Sequence, residues 1–185
     1  MSPSGGASRN EIRIIGGEWR SRRLRFPPAE GLRPTPDRVR ETLFNWLGQD
    51  LSGLSCLDLF AGSGILGFEA ASRGAECVAL VERAKAPYLA LRRHADGFAC
   101  PRIELFCCDA LKFAPPSGRR FDLIFLDPPY GQGWLERVAC RLDELAMPGA
   151  RLYAEAEKPL TQLGRWSVVR EGRAGQVFFH LLEQA

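Results

Sequence analysis

Short apolar runs alternate with amphipathic stretches along most of the chain. Seven runs have the length of strands, and they lie at residues 56–60, 77–81, 103–107, 121–126, 150–154, 166–170 and 177–182. Three stretches with helical spacing lie between them, at residues 65–73, 84–97 and 134–145. Residues 171–175 are too few for a helical crossover, so we expect the last two strands to pair antiparallel. The pattern predicts an α/β fold with a doubly wound, mostly parallel, seven-stranded sheet whose last strand is antiparallel.

The N-terminal part of the chain has a different pattern. Residues 12–15 and 18–26 flank Gly16-Gly17, which predicts a β-hairpin with a two-residue turn. Thr35 as N-cap, Pro36 at the first helical position and Asp37 in the first turn then predict the start of a helix.

The chain is of single-domain length, with a short extension in front. We divide it into a disordered tail (1–9), a basic N-terminal β-hairpin extension (10–32) and a main domain (33–185). No apolar run is long enough to span a membrane, and the first residues lack the apolar segment of a signal peptide. Six cysteines without a CxxC pair, and only two histidines, indicate a reducing cytoplasm and no metal site.

Positive charge is concentrated near the N-terminus. Residues 9–40 contain nine Arg and four acidic residues, a local charge of +5, whereas the rest of the chain comes to −2. A basic segment on a near-neutral body predicts contact with a polyanion. The candidate contacts are Arg20, Arg22, Arg23, Arg33 and Arg40. Because the chain has 22 Arg and three Lys, a general preference for Arg is the alternative explanation.

The sequence Asp127-Pro128-Pro129-Tyr130 follows the most apolar predicted strand. Prolines cannot donate to a strand ladder, so they end the strand there. Ligands of such sheets bind at the carboxyl ends of the strands. A carboxylate, free carbonyls and an aromatic ring at that edge could hold a flat ring that bears an amino group. The alternative is a Pro-Pro strand end with an incidental Asp.

Residues 57–67 predict a strand, a glycine-rich turn and a helix. Gly62, Gly64 and Gly67 match the dinucleotide fingerprint, and Glu82 follows 20 residues after Gly62, which raises an NAD-dependent oxidoreductase as an alternative. Asp58 argues against it, because a carboxylate there would repel a pyrophosphate but suits a cationic amino group. Glu82 could accept hydrogen bonds from two ribose hydroxyls under either interpretation.

Asp109, before Ala110, is a third acid that follows a predicted strand. Asp58, Glu82 and Asp109 therefore follow three successive strands, at the edge that also carries Asp127. Together they outline a pocket for a ligand with amine, ribose and adenine parts.

These motifs resemble those of Rossmann-like class I S-adenosylmethionine-dependent methyltransferases. Residues 58–64 (DLFAGSG) are similar to the glycine-rich motif I, and residues 127–130 (DPPY) to the motif of enzymes that methylate exocyclic or amide nitrogens. The chain is most similar to the RsmD family of 16S rRNA (guanine-N2)-methyltransferases. Three segments carry this similarity: residues 14–24 (IIGGEWRSRRL), 32–47 (LRPTPDRVRETLFNWL) and 60–70 (FAGSGILGFEA).

The resemblance implies roles for specific residues. Contacts to S-adenosylmethionine are expected from Asp58, Phe60, Gly62, Gly64, Glu82, Asp109 and Ala110. Catalysis is expected from Asp127, Pro128, Pro129 and Tyr130, with the amino group of one guanine in 16S rRNA as methyl acceptor and no metal. The partner is 16S rRNA, within a small ribosomal subunit or an assembly intermediate, and the protein is expected to be a monomer.

Two other functions share some of these features. DPPY also occurs in N6-adenine DNA methyltransferases, but 185 residues leave no room for a separate target-recognition region. An RNA-binding module that has lost activity would not need both DPPY and motif I. The loop 131–133 could let Trp134 close over the site, or it could be a plain loop.

Overall fold

The computed structural model describes residues 10–27 and 34–184. The predicted tail, residues 28–33 of the extension with Arg33, and residue 185 lie outside the described residues. The described strands are β1 (Glu11–Arg13), β2 (Arg23–Arg25), β3 (Ser55–Asp58), β4 (Cys77–Val81), β5 (Ile103–Phe106), β6 (Phe121–Leu126), β7 (Ala146–Ala156), β8 (Gln162–Leu163), β9 (Trp166–Ala174) and β10 (Val177–Gln184). The α-helices are α1 (Asp37–Leu47), α2 (Ile65–Ser72), α3 (Lys85–Phe98) and α4 (Trp134–Leu145), and short 3₁₀ helices lie at Ala110–Lys112 and Pro116–Gly118.

The main sheet has the order β5-β4-β3-β6-β7-β10-β9-β8. The pairs from β5 to β7 are parallel, and those among β7, β10, β9 and β8 are antiparallel. The predicted doubly wound sheet with an antiparallel finish is therefore confirmed. The described sheet has eight strands rather than seven, because the two-residue β8 adds to its edge. A strand that short has no periodic pattern by which the sequence could reveal it.

The sheet is covered on both faces. Cys56 packs with α1, α2 and α3, whereas its neighbour Leu57 packs with α4 on the opposite side. Successive strand residues point to opposite faces, so a strand buried on both sides must be apolar throughout. This explains why β6 is a nearly continuous apolar run.

The N-terminal hairpin differs from its predicted form. Arg13 pairs with Arg23, so residues 14–22 form a nine-residue connection and Gly16-Gly17 is not a two-residue turn. The connection bonds to α2 as well as to itself: the Glu18 N–H donates to the Ser72 carbonyl at 2.7 Å, and the Ile14 N–H donates to the Arg22 carbonyl at 2.8 Å. Gly17 has a φ of 74°, and a Cβ there would overlap the Ser72 backbone. The need for close packing on α2 explains the glycine, and the turn prediction was wrong for this reason.

The extension shares the core of the main domain. Ile14 and Leu24 have no exposed surface, and Trp19 stacks on Phe98 of α3 with ring centroids 4.2 Å apart. The backbone N–H of Trp19 donates to Ser72 Oγ at 2.8 Å. Residues 10–27 are thus packed onto the main domain.

Helix α1 begins at Asp37 as predicted, but Thr35 is not its cap. Pro36 occupies the N-cap position, and no side chain caps the helix. The Thr35 hydroxyl instead donates to Glu155 Oε1 at 2.6 Å. A buried carboxylate that needs a donor takes the hydroxyl, so the assignment of Thr35 as N-cap was wrong.

A buried ion network lies between α1, α2 and the extension. Arg40 has no exposed surface, and its guanidinium bonds Glu69 Oε1 at 2.7 Å, Asp37 Oδ1 at 2.6 Å and the Arg13 carbonyl at 3.0 Å. Glu69 also accepts from Arg73 Nε at 3.2 Å. The Arg40 side chain is completely buried, and its guanidinium donates to groups inside the protein. The predicted contact of Arg40 with RNA is therefore wrong.

Two features are absent from the described residues. No helix within residues 10–27 and 34–184 is long and apolar enough to cross a membrane. The same residues contain no group of three or more His, Cys, Asp or Glu side chains that could hold a metal ion.

Candidate active site

Acidic residues lie in a row at the carboxyl edge of the parallel strands. The sheet order places the ends of β5, β4, β3, β6 and β7 side by side. The acids at or just after these ends are Asp109, Glu82, Asp58, Asp127 and Glu155. The sequence predicted the first four at one edge, and Glu155 was missed.

Asp58, the last residue of β3, is 2% exposed. Its Oδ2 accepts from the Gly67 N–H at 3.2 Å, and its Oδ1 is buried without a hydrogen-bond partner in the described part of the chain. Burial raises the pKa of Asp58 to about 7, opposed by the Gly67 hydrogen bond and helped by the charge of Glu82. An orphaned carboxylate oxygen in such a place fits a ligand that brings a cationic donor.

Glu82 and Asp109 are held by backbone donors. Glu82 Oε2 accepts from the Gly62 N–H at 2.9 Å, and its Oε1 accepts from the Ala84 N–H at 2.6 Å. Asp109 Oδ1 accepts from the Leu111 N–H at 2.9 Å, beside the buried Ala110. Each carboxylate oxygen has a further lone pair with which it can accept from ribose or base groups.

Close packing requires glycine at two positions of residues 62–67. A Cβ at Gly64 would overlap Leu91 and Phe68, and one at Gly67 would overlap Leu80. Gly64 has a φ of 78°, which other residues rarely adopt. The glycine spacing thus has a structural cause besides ligand approach, and the cofactor contacts of Gly62 and Gly64 stay predictions.

Phe60 and Trp134 form one wall near the glycine-rich turn. Their rings meet edge to face with centroids 5.5 Å apart. Trp134 is 6% exposed, its indole N–H donates to Gln132 Oε1 at 3.0 Å, and Arg137 stacks on it at 3.9 Å. Because Trp134 is the first residue of α4 and is packed in the core, the plain-loop interpretation of 131–133 fits better than a closing lid.

Asp127 and Glu155 are neighbours on adjacent strands. Leu126 of β6 pairs with Ala154 of β7. Asp127 directly follows Leu126 along the chain, and Glu155 directly follows Ala154. Glu155 is 4% exposed, whereas Asp127 keeps part of its surface accessible. Burial raises the pKa of both groups, and the charge of Glu155 raises that of Asp127 further. None of the ion pairs in the described part of the chain involves either acid.

The rest of the DPPY motif presents an aromatic ring. Tyr130 is 42% exposed, Pro128 is buried and Pro129 is exposed. Burial, together with the charges of Asp127 and Glu155, raises the pKa of the Tyr130 hydroxyl. The ring therefore stays neutral, and an exposed neutral ring beside a carboxylate suits a flat base with an amino group.

The predicted RNA-binding arginines differ in their surroundings. Arg20, Arg22 and Arg23 are all exposed. Arg22 Nη2 donates to the Gly97 carbonyl at 3.3 Å, and its guanidinium stacks on Phe98 at 4.0 Å. Arg23 pairs with Glu11 at 2.5 Å. Exposure allows phosphate contact by all three, although the charge of Arg23 is already partly balanced.

Sequence reasoning missed Glu155 and its two partners. Glu155 Oε1 accepts from Tyr153 Oη at 2.9 Å as well as from Thr35. The signal was an acid directly after the predicted strand 150–154, the same pattern that singled out Asp127. Without prolines after it, this acid resembled an ordinary loop residue.

The sheet order and the row of acids at its edge define a Rossmann-like methyltransferase fold. The protein described as "Putative methyltransferase yhhF from Escherichia coli" superposes with a TM-score of 0.82 and 40% identity, over 94% of this chain and 98% of that one. The family model Conserved hypothetical protein 95 matches residues 12–183.

Relatives with assigned names extend this similarity. Ribosomal RNA small subunit methyltransferase D of Escherichia coli K12 is 40% identical over 179 residues, which cover 94% of this chain and 90% of that protein. The protein of the same name from Haemophilus influenzae is 40% identical over 184 residues, 95% of each chain. The chain belongs to the family of ribosomal RNA small subunit methyltransferase D, the RsmD family, as the sequence motifs indicated.

Proposed function

We propose that this protein transfers a methyl group from S-adenosylmethionine to the exocyclic N2 amino group of a guanine in small-subunit ribosomal RNA. The observation that carries the proposal is the partly accessible Asp127 beside the exposed Tyr130 ring, at a sheet edge lined with acids. Membership of the RsmD family supports RNA of the small subunit as the substrate.

The methyl donor fits the row of acids. The unpartnered Oδ1 of Asp58 would accept from the cationic amino group of the donor, and its carboxylate would balance that charge. Glu82 would accept from the ribose hydroxyls, while Asp109 and Ala110 would contact the adenine. When bound, the donor supplies an electrophilic methyl group on a sulfonium. The protein then has to hold the acceptor amine in line with that methyl group.

The acceptor amine needs activation. Its lone pair is delocalised into the guanine ring, which makes it a poor nucleophile. Asp127 and the Pro128 carbonyl would accept its N–H bonds and turn the lone pair out of conjugation toward the methyl group. Positive charge develops on that nitrogen during transfer, so acceptors that are already in place stabilise the transition state. Correct alignment of the reacting atoms lowers the barrier further.

Tyr130 would hold the base. Stacking of a base on an aromatic side chain contributes roughly 1–3 kcal/mol. Because N2 lies on a base edge, the nucleotide has to leave its stack to reach the site. The exposed ring of Tyr130 offers a surface on which the extruded guanine could rest.

The basic extension would contact the RNA backbone. Arg20, Arg22 and Arg23 project from residues 20–23, which pack beside α3 through Phe98. Guanidinium groups bind phosphates through several hydrogen bonds. Such contacts would strengthen binding without selecting a sequence, because phosphates are the same at every nucleotide.

The proposal is tested with purified protein, radiolabelled S-adenosylmethionine and small ribosomal subunits from a strain that lacks its own copy of this gene. The modified nucleotide is then mapped. Label on the N2 group of a single 16S guanine is the expected result, and the Asp127→Ala variant should transfer almost none. Label on adenine of duplex DNA, with none on the subunits, would overturn the substrate and favour an N6-adenine DNA methyltransferase.

A further inference from the structure

Two hydroxyl groups donate to one oxygen of Glu155. Thr35 Oγ1 donates to Glu155 Oε1 at 2.6 Å and Tyr153 Oη donates to the same atom at 2.9 Å. Glu155, Thr35 and Tyr153 are all nearly or completely buried, and they come from β7 and from the segment that precedes α1. A buried acid that forms no ion pair in the described part of the chain is costly to the fold, which makes Glu155 a candidate for a functional role.

We propose that Glu155 acts through Asp127 as a positioning residue: its buried negative charge raises the proton affinity of the ionised Asp127, so that the pair of carboxylates takes up one proton, the one that the methylated amine must lose. This inference rests on the proposed function of the site. Asp127 has accessible surface and would touch the amine, whereas Glu155 is buried behind it and would not.

The proton balance of the reaction requires such an acceptor. The amine lone pair forms the new N–C bond, and the S–C bond breaks with its electrons going to sulfur, which becomes a neutral thioether. The nitrogen then carries a positive charge and two N–H bonds. One N–H bond breaks, its electron pair returns to nitrogen, and the proton goes to a carboxylate oxygen of Asp127. The proton passes to water after the product has left, so no other reactant is needed.

The surroundings of the pair explain why Asp127 holds this proton well. Two like charges in one buried site cannot both ionise easily, so the proton affinity of one of them rises. The hydrogen bonds from Thr35 and Tyr153 stabilise the ionised form of Glu155, which leaves the proton to Asp127. Burial, followed by the charges of Glu155 and Asp58, raises the pKa of Asp127, and the nearby Thr35 hydroxyl opposes this as the smallest of the four causes.

Within residues 10–27 and 34–184, the groups around the pair add negative charge and no ion-paired cation. Asp58 lies on β3, on the other side of β6 from Glu155, and its charge also acts on Asp127. Tyr130 follows Asp127 along the chain, and Glu157 lies after β7 and accepts from the Gly131 N–H at 2.9 Å. No Lys or Arg of the described ranges forms an ion pair with any of these groups. The methyl donor and the reacting amine would therefore supply the positive charge that the pair lacks.

The first test needs no substrate. Protein with ¹³C-labelled Asp carboxyl groups is titrated by NMR, and the Asp127 signal is assigned by its loss in Asp127→Asn. In Glu155→Gln, the amide oxygen still accepts from Thr35 and Tyr153 but the charge is gone, so the Asp127 midpoint should fall by at least about one pH unit. An Asp127 midpoint that stays within about 0.3 pH units of its original value would overturn the proposal.

The second test measures single-turnover methyl transfer against pH. Glu155→Gln should move the acid limb of the rate profile to lower pH and lower its plateau about tenfold, because Asp127 becomes a weaker base. Affinity for S-adenosylmethionine, measured by calorimetry, should stay within about twofold of the original. The control is Glu183→Gln, which removes an exposed carboxylate on β10 and should change neither limb nor plateau.

The outcomes separate this inference from the proposed function. A lower rate with an unmoved acid limb would show that Glu155 is only structural, and it would sink the inference while the function stands. If the unaltered protein labels no small-subunit RNA, the proposed function fails. The NMR titration then still decides whether the two carboxylates share a proton.

Discussion

Two groups of buried carboxylates differ in how their surroundings compensate their charge. Glu69 of α2 has no exposed surface, and it accepts hydrogen bonds from the Ile15 N–H, from Arg40 and from Arg73. Its charge is balanced by two guanidinium groups. Asp58, by contrast, has an unpartnered oxygen and no ion pair in the described part of the chain.

Asp127 and Glu155 resemble Asp58 rather than Glu69. Burial raises the pKa of all four carboxyls, but only at Glu69 do the charges of two arginines oppose that rise. Within the described residues, Glu69 pairs with two arginines, whereas Asp58, Asp127 and Glu155 form no ion pair. Charge compensation therefore distinguishes the acid that joins structural elements from the acids that we propose to act in the site, which burial alone would not do.

The largest effect on stability should come from a substitution in the group whose charge is compensated, Glu69 with its arginines. Arg40→Met leaves Glu69 buried with one cation fewer and removes the bond to the Arg13 carbonyl. We expect a loss of about 3–5 kcal/mol in the free energy of unfolding, measured in urea. The control is Arg38→Met, which changes an exposed arginine of the same helix and should stay within about 0.5 kcal/mol. A small loss for Arg40→Met would show that the network is not what joins the extension to α1 and α2.

Removal of the uncompensated Asp127 should affect rate instead of stability. In Asp127→Ala we expect turnover to fall about 10²–10³-fold, because a fixed acceptor for the amine is lost. Calorimetry should show nearly unchanged affinity for S-adenosylmethionine. Equal losses of affinity and turnover would contradict this division of roles between Asp127 and the cofactor acids.

The pH dependence of stability in Asp58→Asn tests the same comparison. The raised pKa of Asp58 means that the folded state favours the protonated form, so stability is lost as the pH rises from the ordinary aspartate pKa of 3.8 to about 7. Asn carries no charge, and the variant should be more stable than the original protein by about 1–3 kcal/mol at pH 8 without cofactor. The difference should shrink as the pH falls below 7 and largely disappear only near pH 4, where the carboxyl of the unfolded chain is also becoming protonated.

The same variant should bind S-adenosylmethionine more weakly, since the counter-charge for the amino group is gone. Glu82→Ala should also weaken cofactor binding, and its effect on affinity should exceed its effect on turnover. Asp58→Asn with unchanged cofactor affinity, or with the same stability gain at both pH values, would argue against a site whose charge is balanced by a bound cation.

The smallest effect concerns exposed charges. Replacing Arg20, Arg22 and Arg23 with Ser should weaken RNA binding and flatten its salt dependence. The slope of log affinity against log salt concentration should become shallower by about 0.7–0.9 for each phosphate that the variant no longer binds. The matched control is Arg170→Ser, an exposed arginine on β9, far along the sheet from the extension. An unchanged salt slope would mean that these arginines reflect the Arg-rich composition and do not bind RNA.

The sequence predicted the regular part of the fold. Strands such as β6 and helices such as α4 are recognisable from apolar runs and spacing, and their bounds agree with the structure. The hairpin connection was wrong because the packing of Gly17 on Ser72 is a contact between distant segments. Local turn rules contain no information about such a contact. The same holds for Thr35, whose partner Glu155 lies 120 residues away.

The site was predictable where acids follow strands in order. Asp58, Glu82, Asp109 and Asp127 were brought to one edge by the strand order, which the alternating pattern implies. Arg40 was misread because its place on a basic segment said nothing about Glu69, which buries it. Whether a charged residue is buried depends on its three-dimensional neighbours, and composition does not reveal them.

The packing of the extension on α2 sets an order of events during translation. Trp19 leaves the ribosome well before Ser72, its hydrogen-bond partner 53 residues later in the chain. Until α2 has emerged, the apolar side chains of the nascent N-terminus have no surface on which to pack. This segment is synthesised before its partner in α2 and is thus among the later ones to become ordered, and it has to remain unaggregated in the meantime. The arginines that crowd this segment keep it strongly charged during that interval.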